Sequence, residues 1–319
     1  MEEGLPMITT VTMNPAIDRS VHLNTFRKGS INRVQRSRTD IGGKGINVSV
    51  ALRNFRRDTR ALCFDPMDSG TYLTDTLTSL GVPCIMVPVN GRLRENLKIY
   101  DDEAGDMTEV NEAGMAVDFS SYKRFMQRFR SLLVNTSIIV LSGSVPPGMP
   151  TDIYHQMITE AKAARVPTVL DTAGEPMRLG IEAAPDLIKP NRIEMETLIG
   201  RKIPDLDTAC EEAMKLVDKG VGCVCLSLGS QGAILANKLG IWYSSGIPIK
   251  VVGKQGAGDS MVAGLCMAKL DGMDYGEMLR TGMVMAQGSL MREGTLLCTQ
   301  RIFDELKPKM PVVKYRSFA

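Results

Sequence analysis

Short apolar runs that alternate with amphipathic ones constrain this chain most. Residues 8–13, 60–64, 136–141, 167–171, 186–189 and 222–228 are brief, apolar and rich in β-branched side chains. Between several of them lie segments of helical periodicity, at 121–133, 152–164 and 208–219. Strands that read as continuous apolar runs are covered on both faces, and helices between successive strands supply that cover. The expectation is an α/β fold with a central, mostly parallel sheet and helices on both faces. After Gly256 the pattern becomes mostly helical. Two stretches, 20–40 and 94–110, are β-prone without a helix signal. Their pairing into a small β-sheet over the main one, as a lid, is expected. No linker, repeat or low-complexity tract interrupts 1–319, so one domain with two lid insertions is the expected organisation.

Composition removes several functional classes. Lys plus Arg number 38 against 36 Asp plus Glu, a net charge of +2, which gives no basis for a nucleic-acid partner. No run of about 18 apolar residues appears, so no membrane span is expected. Residues 1–6 are short and acidic and lack the basic-then-apolar pattern of a signal peptide. The seven Cys show no C-x-x-C spacing and mostly sit in apolar runs, which suits reduced, buried thiols in a cytoplasmic protein. With only His22 and His155 present, a His-based metal site or a Ser-His-Asp hydrolase has little to work with.

Ligands of open α/β sheets bind beyond the carboxyl ends of the strands. Polar groups cluster at those ends here: Asn14 to Asp18, Ser142-Gly143-Ser144, Asp171-Thr172, Lys189-Pro190-Asn191 with Glu194, and Ser227-Leu228-Gly229. Any one of these is also an ordinary turn or cap. The sharpest motif is Gly256-Ala257-Gly258-Asp259-Ser260, followed by the small-residue apolar run from Met261. Small residues at a helix start let backbone N–H groups converge as an anion hole. A carboxylate there either caps the helix or acts as a general base on a hydroxyl that attacks a held phosphoryl group.

These motifs, in this order, resemble the ribokinase superfamily and its phosphofructokinase B branch. The resemblance is carried by Thr12-Met13-Asn14-Pro15-Ala16-Ile17-Asp18, Gly42-Gly43-Lys44-Gly45-Ile46-Asn47-Val48, Leu141 to Gly148, Lys189-Pro190-Asn191 and Gly256 to Ser260. It implies a ribokinase-like fold and an ATP-dependent kinase of a ketohexose monophosphate, D-fructose 1-phosphate first and tagatose 6-phosphate second. A neutral-sugar or nucleoside kinase and a non-catalytic sugar-phosphate sensor are the competing classes. By the resemblance, Asp259 is the base, and Gly256, Ala257 and Gly258 form the anion hole. Asp18, Gly43 and Asn47 bind sugar hydroxyls, with Ser142 near the sugar. Lys189, Asn191, Glu194, Ser227, Gly229 and Gly232 serve the nucleotide. Asn191 and Glu194 organise Mg²⁺ through water, which suits a hard cation that keeps its waters.

Basic residues separate the substrate classes, since a sugar phosphate needs cations beside its dianion. Arg33, Arg94 and Lys98 are the candidates, all within the two β-prone insertions. Lys44 is either a solvated charge or a phosphate ligand. The sequence also departs from the family. Gly253-Lys254-Gln255 replaces the usual run before the anion-hole glycines, so Lys254 puts a fixed charge where relatives often order a monovalent cation. The glycine usual before Asp58 is absent from Phe55-Arg56-Arg57-Asp58. A homodimer formed through the lid is expected, because a small sheet alone leaves an apolar face uncovered.

Overall fold

Continuous β-branched runs such as Ile-Thr-Thr-Val-Thr place apolar side chains on both faces and so demand two helical layers. The computed structural model, which describes residues 6–318, meets that demand. Residues 1–5, within the stretch expected to lack a signal peptide, lie outside the described residues.

The strands are β1 (Ile8–Thr12), β2 (Ala16–Leu23), β3 (Arg36–Gly42), β4 (Thr59–Pro66), β5 (Cys84–Val89), β6 (Arg94–Asp101), β7 (Asp106–Asn111), β8 (Ile138–Ser142), β9 (Thr168–Asp171), β10 (Leu187–Ile188), β11 (Val224–Ser227), β12 (Ala233–Asn237), β13 (Gly240–Ser244) and β14 (Val313–Ser317). Ten of them form one sheet in the order β14-β13-β12-β11-β10-β9-β8-β1-β4-β5. From β5 to β11 neighbours run parallel, and from β11 to β14 antiparallel. The other four make a separate sheet, β3-β2-β6-β7.

Helices α1 (Lys44–Asn54), α2 (Tyr72–Ser79), α3 (Phe119–Leu133), α4 (Ile153–Ala163), α5 (Gly174–Glu182), α6 (Arg192–Ile199), α7 (Leu206–Asp218), α8 (Ala257–Leu270), α9 (Tyr275–Leu290) and α10 (Gln300–Leu306) cover the large sheet. One core packs α3 to α7 against Val11, Leu62, Phe64 and Leu141. The second packs α1, α2, α8, α9 and α10 against Ile8, Ala61 and Val140 on the opposite face. All seven cysteines are free thiols, six of them buried. No helix among the described residues is long and apolar enough to cross a membrane.

Three boundaries differ from expectation. The small sheet starts at Ala16 rather than residue 20, so Asp18 lies on a strand of the small sheet and not at the end of a main-sheet strand. Gly42 to Gly45 is not a free turn: Gly43, at φ 133°, caps α1. The mostly helical tail closes with a strand, β14, on the sheet margin. Arg56 fills the place of the expected glycine at φ 54°, a left-handed conformation that disfavours a side chain.

Candidate active site

Close backbone approach decides where the site forms. A Cβ on Gly45 would lie 2.5 Å from Thr12 Oγ1 and 2.6 Å from the Val11 carbonyl, so only glycine lets the start of α1 sit on the end of β1. That contact carries Asn47, one turn on, to the N-terminus of α8. Gly256 caps α8 at φ 70°, and a Cβ there would meet Leu297 at 2.4 Å. The first amides of a helix have no acceptor within it, so those of Ala257, Gly258 and Asp259 are free to meet an anion. Asp259 makes no capping bond. Its Oδ2 accepts from Asn47 Nδ2 at 2.7 Å. Burial, with the charge of Asp171 adding, pushes the Asp259 carboxyl up to about 6.

Two ammonium groups flank this carboxylate. Lys44 Nζ donates to Asp171 Oδ1 at 3.1 Å and lies 3.5 Å from Glu194 Oε1. Lys189 Nζ is 3.4 Å from the same Asp171 oxygen, and a Cβ on Gly258 would come within 3.4 Å of that ammonium. Burial alone would lower the Lys44 ammonium, but Asp171, Glu194 and Asp259 together outweigh it and raise it. Burial alone would likewise raise Asp171, yet Lys189 and Lys44 hold it below the ordinary carboxylate range. Asp171 is thus the anchor of both lysines. The sequence showed it only as a polar strand end, because its partners lie 127 and 18 residues away.

The small sheet closes the other side. Asp18 faces Asn96 across the β2–β6 ladder, and Lys98 follows two residues later on the same face. Asn96 Nδ2 and Lys98 Nζ each donate to Asp18 at 2.8 Å. Lys98 is therefore not a bare phosphate ligand, since its charge is shared with Asp18. Arg94 donates through Nε to the Asn14 carbonyl and through Nη1 to Asn96 and the Glu112 carbonyl, each at 3.2 Å. Its Nη2 has no protein partner among the described residues. Arg33 does not join them. It is exposed in the 24–35 connection between β2 and β3, outside the cavity.

Together these residues line a cavity of about 590 Å³ that includes Asp18, Gly43, Lys44, Asn47, Arg94, Lys98, Ser142, Lys189 and Asp259. Among the described residues, seven buried side-chain polar atoms lack a hydrogen-bond partner. Five of them line this cavity: Thr12 Oγ1, Asn14 Oδ1, Ser142 Oγ, Asp171 Oδ2 and Gln255 Oε1. Buried polar groups are normally paired, so this concentration marks a place built for a polar ligand.

A groove of about 1110 Å³ adjoins it through Asn191, Ser227, Lys254 and Gly258. Gly229 and Gly232, at φ 64° and 89°, shape its turn, and a Cβ on Gly232 would lie 1.8 Å from the Ser244 carbonyl. Ala257, Met261, Met283 and Ile247 give it an apolar wall suited to a nucleobase. Asn191 and Glu194 form a reciprocal capping box at the start of α6. Glu194 Oε2 accepts from the Asn191 amide at 2.8 Å, leaving Oε1 toward Lys44. Among the described residues no three His, Cys, Asp or Glu stand together as a metal cage. Oxygen donors at Glu194 and Asn191 fit a hydrated Mg²⁺ bound mainly by phosphates. Lys254 is exposed and lines both the cavity and the groove.

Comparison with known proteins gives the family. The pfkB family of carbohydrate kinases matches residues 11–301. A 1-phosphofructokinase of Bacillus subtilis (strain 168) is 32% identical over 308 residues, spanning 97% of this chain and 100% of that protein. A tagatose-6-phosphate kinase of Staphylococcus epidermidis is 29% identical over 312 residues, covering 97% and 100%. The crystal structure of phosphofructokinase-2 from Escherichia coli in complex with potassium superimposes with a TM-score of 0.88 at 25% identity, over 96% of this chain and 99% of the other.

Proposed function

Because the chain belongs to the pfkB family of carbohydrate kinases, we propose that it transfers the γ-phosphoryl group of ATP to the free primary hydroxyl of a ketohexose monophosphate, D-fructose 1-phosphate first. One observation carries this reading. A single cavity holds a buried carboxylate beside a helix N-terminus and, on its lid side, an arginine with an open guanidinium edge. The first suits a reacting hydroxyl and the second a phosphate already on the sugar.

Asp259 takes the proton of the attacking hydroxyl. The amides of Ala257, Gly258 and Asp259 meet the charge that develops on the transferred group, and Lys44 and Lys189 add fixed positive charge beside it. Asp171 holds both ammonium groups in place. Asp18, Asn47 and Ser142 orient the sugar. Asn191 and Glu194 would hold the waters of Mg²⁺, which neutralises phosphate charge when bound. Ser227, Gly229 and Gly232 seat the nucleotide phosphates. Tagatose 6-phosphate is the second reading, favoured by the full-length relative from Staphylococcus epidermidis. A neutral-sugar kinase would leave Arg94 without a purpose in the cavity.

Turnover with a panel of sugar phosphates tests the proposal. Fructose 1-phosphate should give the highest kcat/KM. A preference for unphosphorylated sugars, or none for either ketohexose phosphate, would overturn it. The lid sheet also carries the proposed homodimer, since Val110 on β7 and Ile31 and Val34 in the loop between β2 and β3 are exposed. Sedimentation at micromolar protein should give twice 34.9 kDa. A single species at the monomer mass would refute the dimer.

A further inference from the structure

One side chain joins the small sheet to the anion hole. We propose that Gln255 is the positioning residue through which the lid sets the register of the Gly256–Asp259 turn, a proposal that rests on the kinase reading above. Gln255 immediately precedes the cap of α8 and is only 8% exposed. Its Nε2 lies 2.9 Å from Ser20 Oγ and 3.5 Å from the Tyr100 hydroxyl. Ser20 stands on β2 and Tyr100 on β6, two residues beyond Asp18 and Lys98 and on the same face. Among the described residues, no other side-chain hydrogen bond links 251–260 to this sheet.

The other polar atom of the amide is left open. Gln255 Oε1 is buried without a partner, and the residue lines the sugar cavity. A sugar hydroxyl both donates and accepts, so it satisfies the open atom whichever way the amide is turned. A second contact reaches the same turn. Arg38 and Asp40 of β3 clasp each other and press on Gly294, where a Cβ would meet Asp40 Oδ2 at 2.5 Å and Arg38 Nε at 2.6 Å. Three residues later Leu297 packs on Gly256.

An amide does not titrate, so Gln255 contributes geometry and no proton. When the lid lifts, Ser20 and Tyr100 leave with it and the buried amide loses both partners. Gly256, the next residue, has the conformational freedom to follow. The hole is then in register only while the lid is closed on a sugar. Binding of the sugar phosphate thereby governs phosphoryl transfer, and transfer to water is suppressed in its absence.

Ser20→Ala and Gln255→Leu break the tie from opposite ends. Each should lower kcat about five- to tenfold, the range one ordinary hydrogen bond supports, with KM for ATP unchanged. The double variant should match Gln255→Leu, because that change already removes the contact with Ser20. Losses that multiply would overturn the proposal. So would losses confined to KM. A second readout needs no turnover. Amide exchange at Ser260, whose N–H donates to the Gly256 carbonyl at 2.8 Å, should quicken in Ser20→Ala by about the same five- to tenfold, although Ser20 lies 235 residues from Gln255 in sequence. Unchanged exchange there would also overturn the tie. Failure of the kinase reading would show separately, as wild-type protein that phosphorylates no sugar phosphate, while the exchange result still decides the role of Gln255.

Discussion

Replacing Asp259 by Asn separates what the carboxylate does for the reaction from what it costs the fold. Burial, with Asp171 adding, lifts this group from an ordinary 3.8 to about 6. A carboxyl that titrates higher in the folded than in the unfolded chain takes up a proton on folding. Its contribution to stability is complete below the unfolded value and is lost as pH rises through the folded one. A displacement of about two pH units corresponds to about 3 kcal/mol at pH 8. The substituted amide keeps the shape, and its carbonyl oxygen still accepts from Asn47. The variant should therefore be more stable than wild type at pH 8, by about 1–3 kcal/mol or a few degrees in Tm. By pH 5 the ionisation cost falls to about half, and the advantage should shrink with it. Its kcat should drop about 10²–10⁴-fold, the scale of a positioned acid–base group. Wild-type rate should itself fall as pH drops below about 6, as Asp259 takes up a proton. Thermal unfolding at both pH values and a pH–rate profile test this. An Asn variant that melts lower at pH 8, or keeps more than about a tenth of wild-type kcat, refutes the reasoning.

Other substitutions address the remaining parts of the site. Arg94→Ala should raise KM for the sugar phosphate about tenfold to a hundredfold, the range of one charge-assisted contact, and leave KM for ATP alone. Equal effects on both substrates would count against Arg94 as the phosphate reader. Glu194→Gln should raise the Mg²⁺ concentration needed for half-maximal rate; a titration that overlays wild type removes Glu194 from the metal's surroundings. Lys44→Ala should lower kcat more than Lys254→Ala, because Lys44 is held by Asp171 and Glu194 whereas Lys254 makes no ion pair among the described residues. Activity should depend only weakly on K⁺, measured against Na⁺ at fixed ionic strength, and a many-fold fall without K⁺ would show that Lys254 does not replace the cation.

Much of the architecture is legible in the chain because its central strands are buried on both faces. Residues 8–13, 60–64 and 167–171 are apolar or β-branched at nearly every step, and no other element type fits such short runs. Helix α1 is invisible to the same reasoning. It is buried from Gly45 to Leu52, so no polar face alternates with its apolar one. The motif residues Asp259, Asn47, Lys44 and Lys189 are recognisable, and the structure gathers them in one cavity. Asp171 is not recognisable as their anchor, since its meaning lies in two distant lysines. Pairing also alters Lys98, whose ion pair with Asp18 spans 80 residues. Arg33 has the right chemistry for a phosphate, but the loop between β2 and β3 keeps it at the surface.

The ten-stranded sheet has two margins, and every margin is a template on which a second chain can grow. At one side β5 carries Pro88, which has no N–H to offer, and the Pro88 carbonyl accepts from Arg124 at 3.2 Å. At the other side β14 is short, largely exposed and charged. Its Lys314 ammonium lies 5.4 Å from the Trp242 ring, and Arg316 pairs with Asp207 at 2.5 Å. Beneath it lies β13, whose Gly-Ile-Trp-Tyr-Ser run has neither charge nor proline. The residues from Val313 to Ser317 line neither the cavity nor the groove. They cover the edge of a strand free of charge and proline, so the edge left open to an incoming chain is short, exposed and charged.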